Sequence, residues 1–410
     1  MGWCTTFDLD RFAAAAGGYL RLRAAENTLL LSAAQAAEAA AAGWRAQAVG
    51  QQPGTPGPGV LFGWWEPPDG GEPRGAFVHD PSVPLLISGK APEMAAALAA
   101  SLAKMGRQVC GVDAPTEVAD AFAAAWSQRA GTTVRAHRTC RVFRLAGVPE
   151  RTPPQATPAL AQRGPAQNFR ATPPPGMPAV PGTGAWPSPE MPGPPGRLRV
   201  ATADDVGLLA GWLAASAAEA AERIGSPPDL ARDLIGDGGA VFWEAPEAAP
   251  KPGRLREAAH HLAITQHRDP AQPGEPAYQP VALATLTRPI AGVVRISMLY
   301  TLPEHRRSGY ATALTLAVSR AVLTGAGPDG APDPAHGVLL DLARHVNEVV
   351  IITDKNRPDR WGSRFGYQLL GERAVLRFGP VTGPLPRAQS SGAMPRLPTG
   401  PLPRLPRLRR

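Results

Sequence analysis

Apolar positions fall into two series of short runs, separated by a stretch with few large apolar groups. In the first series, Glu26-Asn27-Thr28 leads into Leu29–Leu31 and Ala-rich helical sequence to about Ala42. A Gly/Pro loop follows, then strand-like runs at Val60–Trp65, Ala76–Asp80 and Val83–Ile87. Pro92–Met105 has amphipathic helical spacing with Pro92 in its first turn. Val109–Gly111 reads as a short buried strand, and Thr116–Arg129 as a helix with Thr116 as cap and Glu117 in its first turn. Thr133–Leu145 alternates as a strand. His79 and His137 stand alone and read as surface or core residues.

The second series predicts a strand at Leu198–Thr202 and a helix entered at Ala203-Asp204-Asp205 and running Leu208–Ala218. A second helix at Pro228–Ile235 and a strand at Ala240–Glu244 follow. Residues 245–277 are polar and read as a long loop. Val281–Arg288 and Val293–Thr301 are strongly strand-like and joined by a turn at Pro289–Gly292. A helix at Ala311–Leu323, an insertion at 326–347, a strand at Val349–Thr353 and a last strand from Phe365-Gly366-Tyr367 to Phe378 complete it.

Composition explains the gap between the two series. Fifteen prolines fall in 149–197, which blocks helix and sheet hydrogen bonding and favours extended chain. The expected organisation is an α/β domain at 5–147, a linker at 148–197, a second domain at 198–379 and an unfolded tail at 380–410. The tail carries six arginines and no acid, and the linker adds two net charges. The formal charge of +8 therefore belongs to these segments, and the folded parts are near neutral. A nucleic-acid surface is not expected, and only the tail keeps that alternative open. No apolar stretch approaches the ~20 residues of a membrane span. The acidic start MGWCTTFDLD lacks a basic signal region. Cys4, Cys110 and Cys140 are too widely spaced for a disulfide framework or a metal site, and a cytoplasmic location is expected. His260, His261 and His267 lack the spacing for zinc.

One junction carries chemistry. The strand ending at Thr301 feeds Pro303-Glu304-His305-Arg306-Arg307-Ser308-Gly309-Tyr310-Ala311, directly ahead of a helix. Free N–H groups at a helix N-terminus, together with its dipole, suit a pyrophosphate. Gly309 permits close backbone approach, Ala311 keeps the first turn small, and Arg306 and Arg307 supply positive charge.

Through Arg306-x-x-Gly309-x-Ala311, the sequence resembles the GCN5-related N-acetyltransferase family, in the form common among actinobacterial members. Asp354-Lys355-Asn356 after a strand, with Phe365-Gly366-Tyr367 opening the last one, is the family's second landmark. The resemblance covers 198–379 and implies a mixed sheet flanked by helices. The first series follows the same order without the motif. It is either a degenerate copy, which would make a tandem, or an unrelated α/β cap on the substrate side.

The resemblance also implies acetyl-CoA as cosubstrate, no metal, and an amine acceptor, small molecule or protein. The cofactor groups it implies are Leu299, Tyr300, Thr301, Arg306, Arg307, Ser308, Gly309, Tyr310, Ala311, Thr312 and Asn356, with the Leu299 and Thr301 backbone facing the pantetheine and thioester. Asn356 also reads as a cap for a helix holding Pro358. The sequence departs from the family at the tyrosine that protonates the leaving thiolate. That position is Gly362, after Trp361, in a segment about two residues short. Tyr300 and Tyr310 are the candidate replacements, with packing as the alternative for both, and Glu304 is a candidate base, as are Asp204 and Glu244. The function expected is N-acetyl transfer to a primary amine; the alternative is a non-catalytic acyl-CoA-binding or interaction protein.

Overall fold

The computed structural model describes residues 2–47, 59–67, 70–146, 194–220, 224–247, 277–325, 345–356 and 365–379. Outside them lie the linker to residue 193, the tail, and most of the 245–277 loop with its three histidines. The 326–344 part of the insertion, Pro358, Trp361 and Gly362 lie outside them too.

The first half comprises β1 (Gly2–Thr6), α1 (Leu9–Leu22), α2 (Thr28–Gln47), β2 (Leu61–Glu66), β3 (Ala76–His79) and β4 (Leu85–Ser88). It continues through α3 (Pro92–Lys104), β5 (Gly111–Pro115), α4 (Thr116–Ala130) and β6 (Val134–Ala146). The second half comprises β7 (Arg197–Val200), α5 (Val206–Glu219), α6 (Pro227–Gly236), β8 (Ala240–Pro246) and β9 (Tyr278–Leu286). It ends with β10 (Val293–Thr301), α7 (Tyr310–Thr324), β11 (Glu348–Asp354) and β12 (Gln368–Phe378). The fold is mixed α/β, with a mixed sheet flanked by helices, as the sequence led us to expect. In each half four antiparallel strands are followed by a fifth that runs parallel to the fourth.

The halves share one twelve-stranded sheet, ordered β1-β2-β3-β4-β5-β12-β6-β11-β10-β9-β8-β7. The two final strands are exchanged. β12 pairs with β5 of the first half, β6 pairs with β11 of the second, and β6 and β12 pair with each other from Arg144–Gln368 to Val134–Phe378. Arg373 on β12 fixes the exchange. Its Nε donates to Asp113 Oδ1 on β5 at 2.8 Å and its terminal nitrogen to the Asp113 carbonyl at 3.0 Å. Arg373 is 6% exposed.

Residue alternation assigns the helices to faces. Val294 and Ile296 lie in the core under α7, with Leu314, Val318 and Val322. Their neighbour Val293 faces the other way, into the core under α1 and α2 with Phe12, Leu20 and Val350. A bulge between Ile296 and Met298 shifts the alternation, so Met298 and Tyr300 lie with Leu283 and Phe242 beneath Trp212 of α5. Helices α1 and α2 of the first half thus pack on strands of the second.

Several expected boundaries move. The strand expected at Val109–Gly111 is Gly111–Pro115, because it is Val112 and Ala114 that pair with β12 and turn into the core of α3 and α4. Thr116 is the first helical residue after Pro115 and not the cap, and its Oγ1 is sealed without a partner. β1 and α1 add to the expected elements. Asp8 caps α1 by accepting from the N–H groups of Asp10 and Arg11, and Phe12, Ala16 and Leu20 form its buried stripe. Among the described residues no helix is long and apolar enough to cross a membrane.

The exchange makes each half a poor folding unit. Produced alone, residues 194–410 leave β11 without one neighbour and β12 without both, and exposed edges promote association. This fragment should aggregate or self-associate in gel filtration, and co-expression with residues 1–146 should yield a soluble one-to-one complex. A monodisperse, cooperatively unfolding monomer of 194–410 would count against this reading.

Candidate functional site

The site lies where β10 and β11 part. They pair only over Val293–Ile296 with Glu348–Ile351. Beyond that β10 stays with β9 and β11 with β6, and a gap opens between them. Leu302 N–H donates to the Val281 carbonyl on β9 at 3.1 Å. Strand alternation therefore points the N–H groups of Leu299 and Thr301 into the gap.

The chain then makes one 3-10 turn at Pro303–His305 and enters α7 through a loop of alternating backbone handedness. Arg307 has φ +65° and Gly309 φ +87°, while Ser308 between them is not left-handed. Such alternation turns successive N–H groups to one side as an anion-binding concavity. Gly309 is the N-cap of α7 and no side chain caps the helix, so the N–H groups of Tyr310, Ala311 and Thr312 sit in its first turn without an intrahelical acceptor. A Cβ at Gly309 would meet only Pro194, at 3.5 Å; glycine is required there by φ and not by crowding.

The corresponding turn of the first half is closed. A Cβ at Gly89 would lie 2.6 Å from Met94 Cε and 3.0 Å from the Arg74 carbonyl. Trp3 Nε1 donates to the Met94 carbonyl at 2.8 Å and fixes the plug. β4 runs only two residues, Ile87 and Ser88, beyond its pairing with β5.

The two arginines of the loop differ. One terminal nitrogen of Arg306 donates to both carboxylate oxygens of Glu219, at the end of α5, at 2.7 and 2.9 Å. Its Nε donates to the Thr301 carbonyl at 2.9 Å, and it stands 5.6 Å from the Tyr300 ring centre. Arg306 therefore braces the loop against α5 instead of reaching outward as a free charge. Arg307 is exposed and makes no hydrogen bond or ion pair with the described residues, which leaves its charge for a ligand.

The candidate catalytic groups are not gathered. Tyr300 is 7% exposed, 5.8 Å from Trp212 between ring centres. Burial pushes its phenol up and the Glu219 carboxylate adds to this. Tyr310 packs into the core on the opposite face, with its ring edge-on to His305 at 5.9 Å. Glu304 is exposed in the 3-10 turn. Asn356 is exposed beyond β11, where its backbone N–H donates to Asp354 Oδ1 at 2.8 Å. The three cysteines are unpaired, and burial raises each thiol, which disfavours a thiolate nucleophile. Among the described residues no three His, Cys, Asp or Glu side chains form a group that could hold a metal.

Glu244 has a different task. It accepts from Arg199 Nε at 2.5 Å and Arg197 Nε at 2.9 Å, and Arg199 also forks onto Asp205 at 2.7 and 2.9 Å. Burial works against the Arg199 charge, but bonds to Asp205 and Glu244 outweigh it and hold its pKa above the ordinary value. Two residues of the site carried little advance signal: Glu219 ends an ordinary helix, and Ser297 is the bulge. Arg295, a charge inside an apolar strand run, was visible in the sequence.

No family model matches the chain, and no curated protein matches it. Solved structures to which it is similar include a Drosophila protein at 12% identity, covering 93% of this chain and 99% of that one, with a TM-score of 0.43. A GCN5-related N-acetyltransferase from Sphaerobacter thermophilus aligns at 14% identity over 81% of this chain and 83% of its own, with a TM-score of 0.37. A tandem GNAT protein from the clavulanic acid biosynthesis pathway aligns at 12% over 78% and 82%, with a TM-score of 0.34.

The Glu244 arrangement predicts a structural phenotype. Glu244→Leu should lower the unfolding free energy by about 3 kcal/mol, because it leaves Arg199 partly unpaired. Urea unfolding measures this; unchanged stability would remove the structural assignment.

Proposed function

We propose that the chain is an acetyl-CoA-dependent N-acetyltransferase that acts on a primary amine, with its cosubstrate on the second half. One observation carries this: an uncapped helix N-terminus behind a loop of alternating handedness opens next to a gap lined by free strand N–H groups. The first feature fits a pyrophosphate and the second an amide-bearing arm with a thioester at its end. The arginine-glycine motif leads to the same family.

In this reading the backbone from Ser308 to Thr312 holds the pyrophosphate, with Arg307 adding a charge-assisted contact. The Leu299 and Thr301 N–H groups hold the arm and polarise the carbonyl. When bound, acetyl-CoA supplies an activated acetyl group. The neutral amine attacks the carbonyl carbon, a C–N bond forms, and negative charge gathers on oxygen, where a fixed backbone N–H stabilises it. The C–S bond then breaks and the thiolate leaves. The proton lost by the amine passes through water to the sulfur, a route that needs neither Tyr300 nor Tyr310. The acceptor arrives on the face opposite α7, between the two helix pairs.

A second reading, acyl-CoA binding without transfer, is favoured by Tyr300 and Tyr310 lying on opposite faces of the sheet. Titration with acetyl-CoA, together with thiol release across a panel of amines, separates the two. The proposal expects binding by the wild type, with affinity at least roughly tenfold weaker in Gly309→Asp and in Arg307→Glu, about 1.4 kcal/mol or more. It also expects thiol release with at least one amine. Equal binding by both variants sinks the cofactor site, and tight binding without thiol release selects the second reading.

A further inference from the structure

β10 enters the site as Val293-Val294-Arg295-Ile296, an apolar run with one charge inside it. The Arg295 backbone is fixed just past the end of β9: its N–H donates to Thr287 Oγ1 at 3.0 Å, and its carbonyl accepts from Thr287 N–H at 2.9 Å. Alternation turns the side chain away from α7, to the face that carries Val293, Met298 and Tyr300. It stands beside Val350, one step before the last β10–β11 pair, at the throat of the gap.

Among the described residues the guanidinium has no partner: its Nε is sealed from solvent without an acceptor, and no side-chain hydrogen bond or ion pair joins Arg295 to them. Burial pushes its pKa down to about 10, with the Asp113 carboxylate working weakly the other way. That carboxylate is already engaged by Arg373. Other strand arginines pair: Arg141 with Glu372, Arg144 with Glu348, Arg199 with Asp205 and Glu244. A half-buried charge without a partner is costly, and buried polar groups ordinarily find partners. An anion from outside the chain would answer it.

We infer that Arg295 seats a carboxylate carried by the amine acceptor, which makes the substrate class an amino acid or a related amino-carboxylate. This rests on the acetyltransferase reading above. The planar guanidinium fork matches a carboxylate in two parallel hydrogen bonds. Leu299 lies four residues further along the same strand, on the order of 13 Å at the usual rise. Arg295 would thus hold one end of the acceptor while its amine lies at the thioester, as a specificity residue and not a catalytic one.

The test uses the full chain, with and without saturating coenzyme A. Glycine, β-alanine, γ-aminobutyrate and lysine, each beside its carboxamide, are titrated calorimetrically into the wild type and Arg295→Gln. At least one acid should bind the wild type more tightly than its amide, and Arg295→Gln should weaken that acid at least tenfold without changing its amide. The ligand-free variant should melt at the wild-type temperature or above, because the substitution removes an unpaired charge, and should bind acetyl-CoA normally. The inference falls if no acid outbinds its amide, if the preference survives Arg295→Gln, or if the ligand-free variant melts lower. Loss of acetyl-CoA binding by the wild type would instead sink the acetyltransferase reading, and the acid titrations without coenzyme A would still report on Arg295.

Discussion

The exchange of β6 and β12 sets the conditions for everything else in the molecule. Each strand belongs to one half by sequence and to the other by hydrogen bonding to that half's fifth strand. Because the two also pair with each other, the sheet has no seam between the halves. The buried Arg373–Asp113 contact sits on this exchange, and so do the cores that bridge it, in which Val142, Val293 and Val350 meet α1 and α2. Breaking a buried pair costs far more than a surface pair returns, so the register of β12 against β5 is held tightly.

This constraint explains how the gap can exist. Two parallel strands that part expose unpaired backbone groups, which is tolerable only if each strand has a partner on its other side. β9 supplies that partner for β10, and β6, a strand of the other half, supplies it for β11. The bulge at Ser297 re-aims β10 where the parting begins, and the Arg306–Glu219 pair ties the far end of β10 to α5. The open N–H groups of the second half therefore depend on a strand contributed by the first.

Much of this was legible in the sequence, and the parts that were not have physical causes. β10 and α7 were plain because a β-branched run and Ala/Leu-rich helical spacing mark them, β12 followed from the family landmark at Phe365-Gly366-Tyr367, and the Arg306 to Ala311 spacing marked the loop. Strand exchange leaves no trace in hydropathy, because β6 and β12 are equally apolar whichever neighbour they take. The partner of Arg306 was hidden for a similar reason. A sequence shows a charge near a loop but not the Glu219 carboxylate that neutralises it from residues far away in the chain. Thr116 looked like a cap by residue type, yet Pro115, with its fixed φ, takes that position. Arg295 was visible as a polar interruption, and only the structure shows that none of the described residues answers its charge.

The two halves show how the same arrangement of elements can be opened or closed by a few side chains. Both have a turn with a left-handed glycine, Gly89 and Gly309, before a helix that no side chain caps. At Gly309 the space stands open to Pro194, and Arg307 has no partner among the described residues. At Gly89 Met94 folds back into the concavity, held through its carbonyl by Trp3 of the edge strand. A methionine side chain is well suited to such filling, since it is unbranched and adapts to irregular space. Met94 fills that concavity, and the short β4 leaves little strand to splay. The first half supplies β6 to hold β11, and α1 and α2 to cover the face on which Arg295 lies. In the proposed function, it would thereby shape the acceptor side of a site whose cofactor groups belong to the second half.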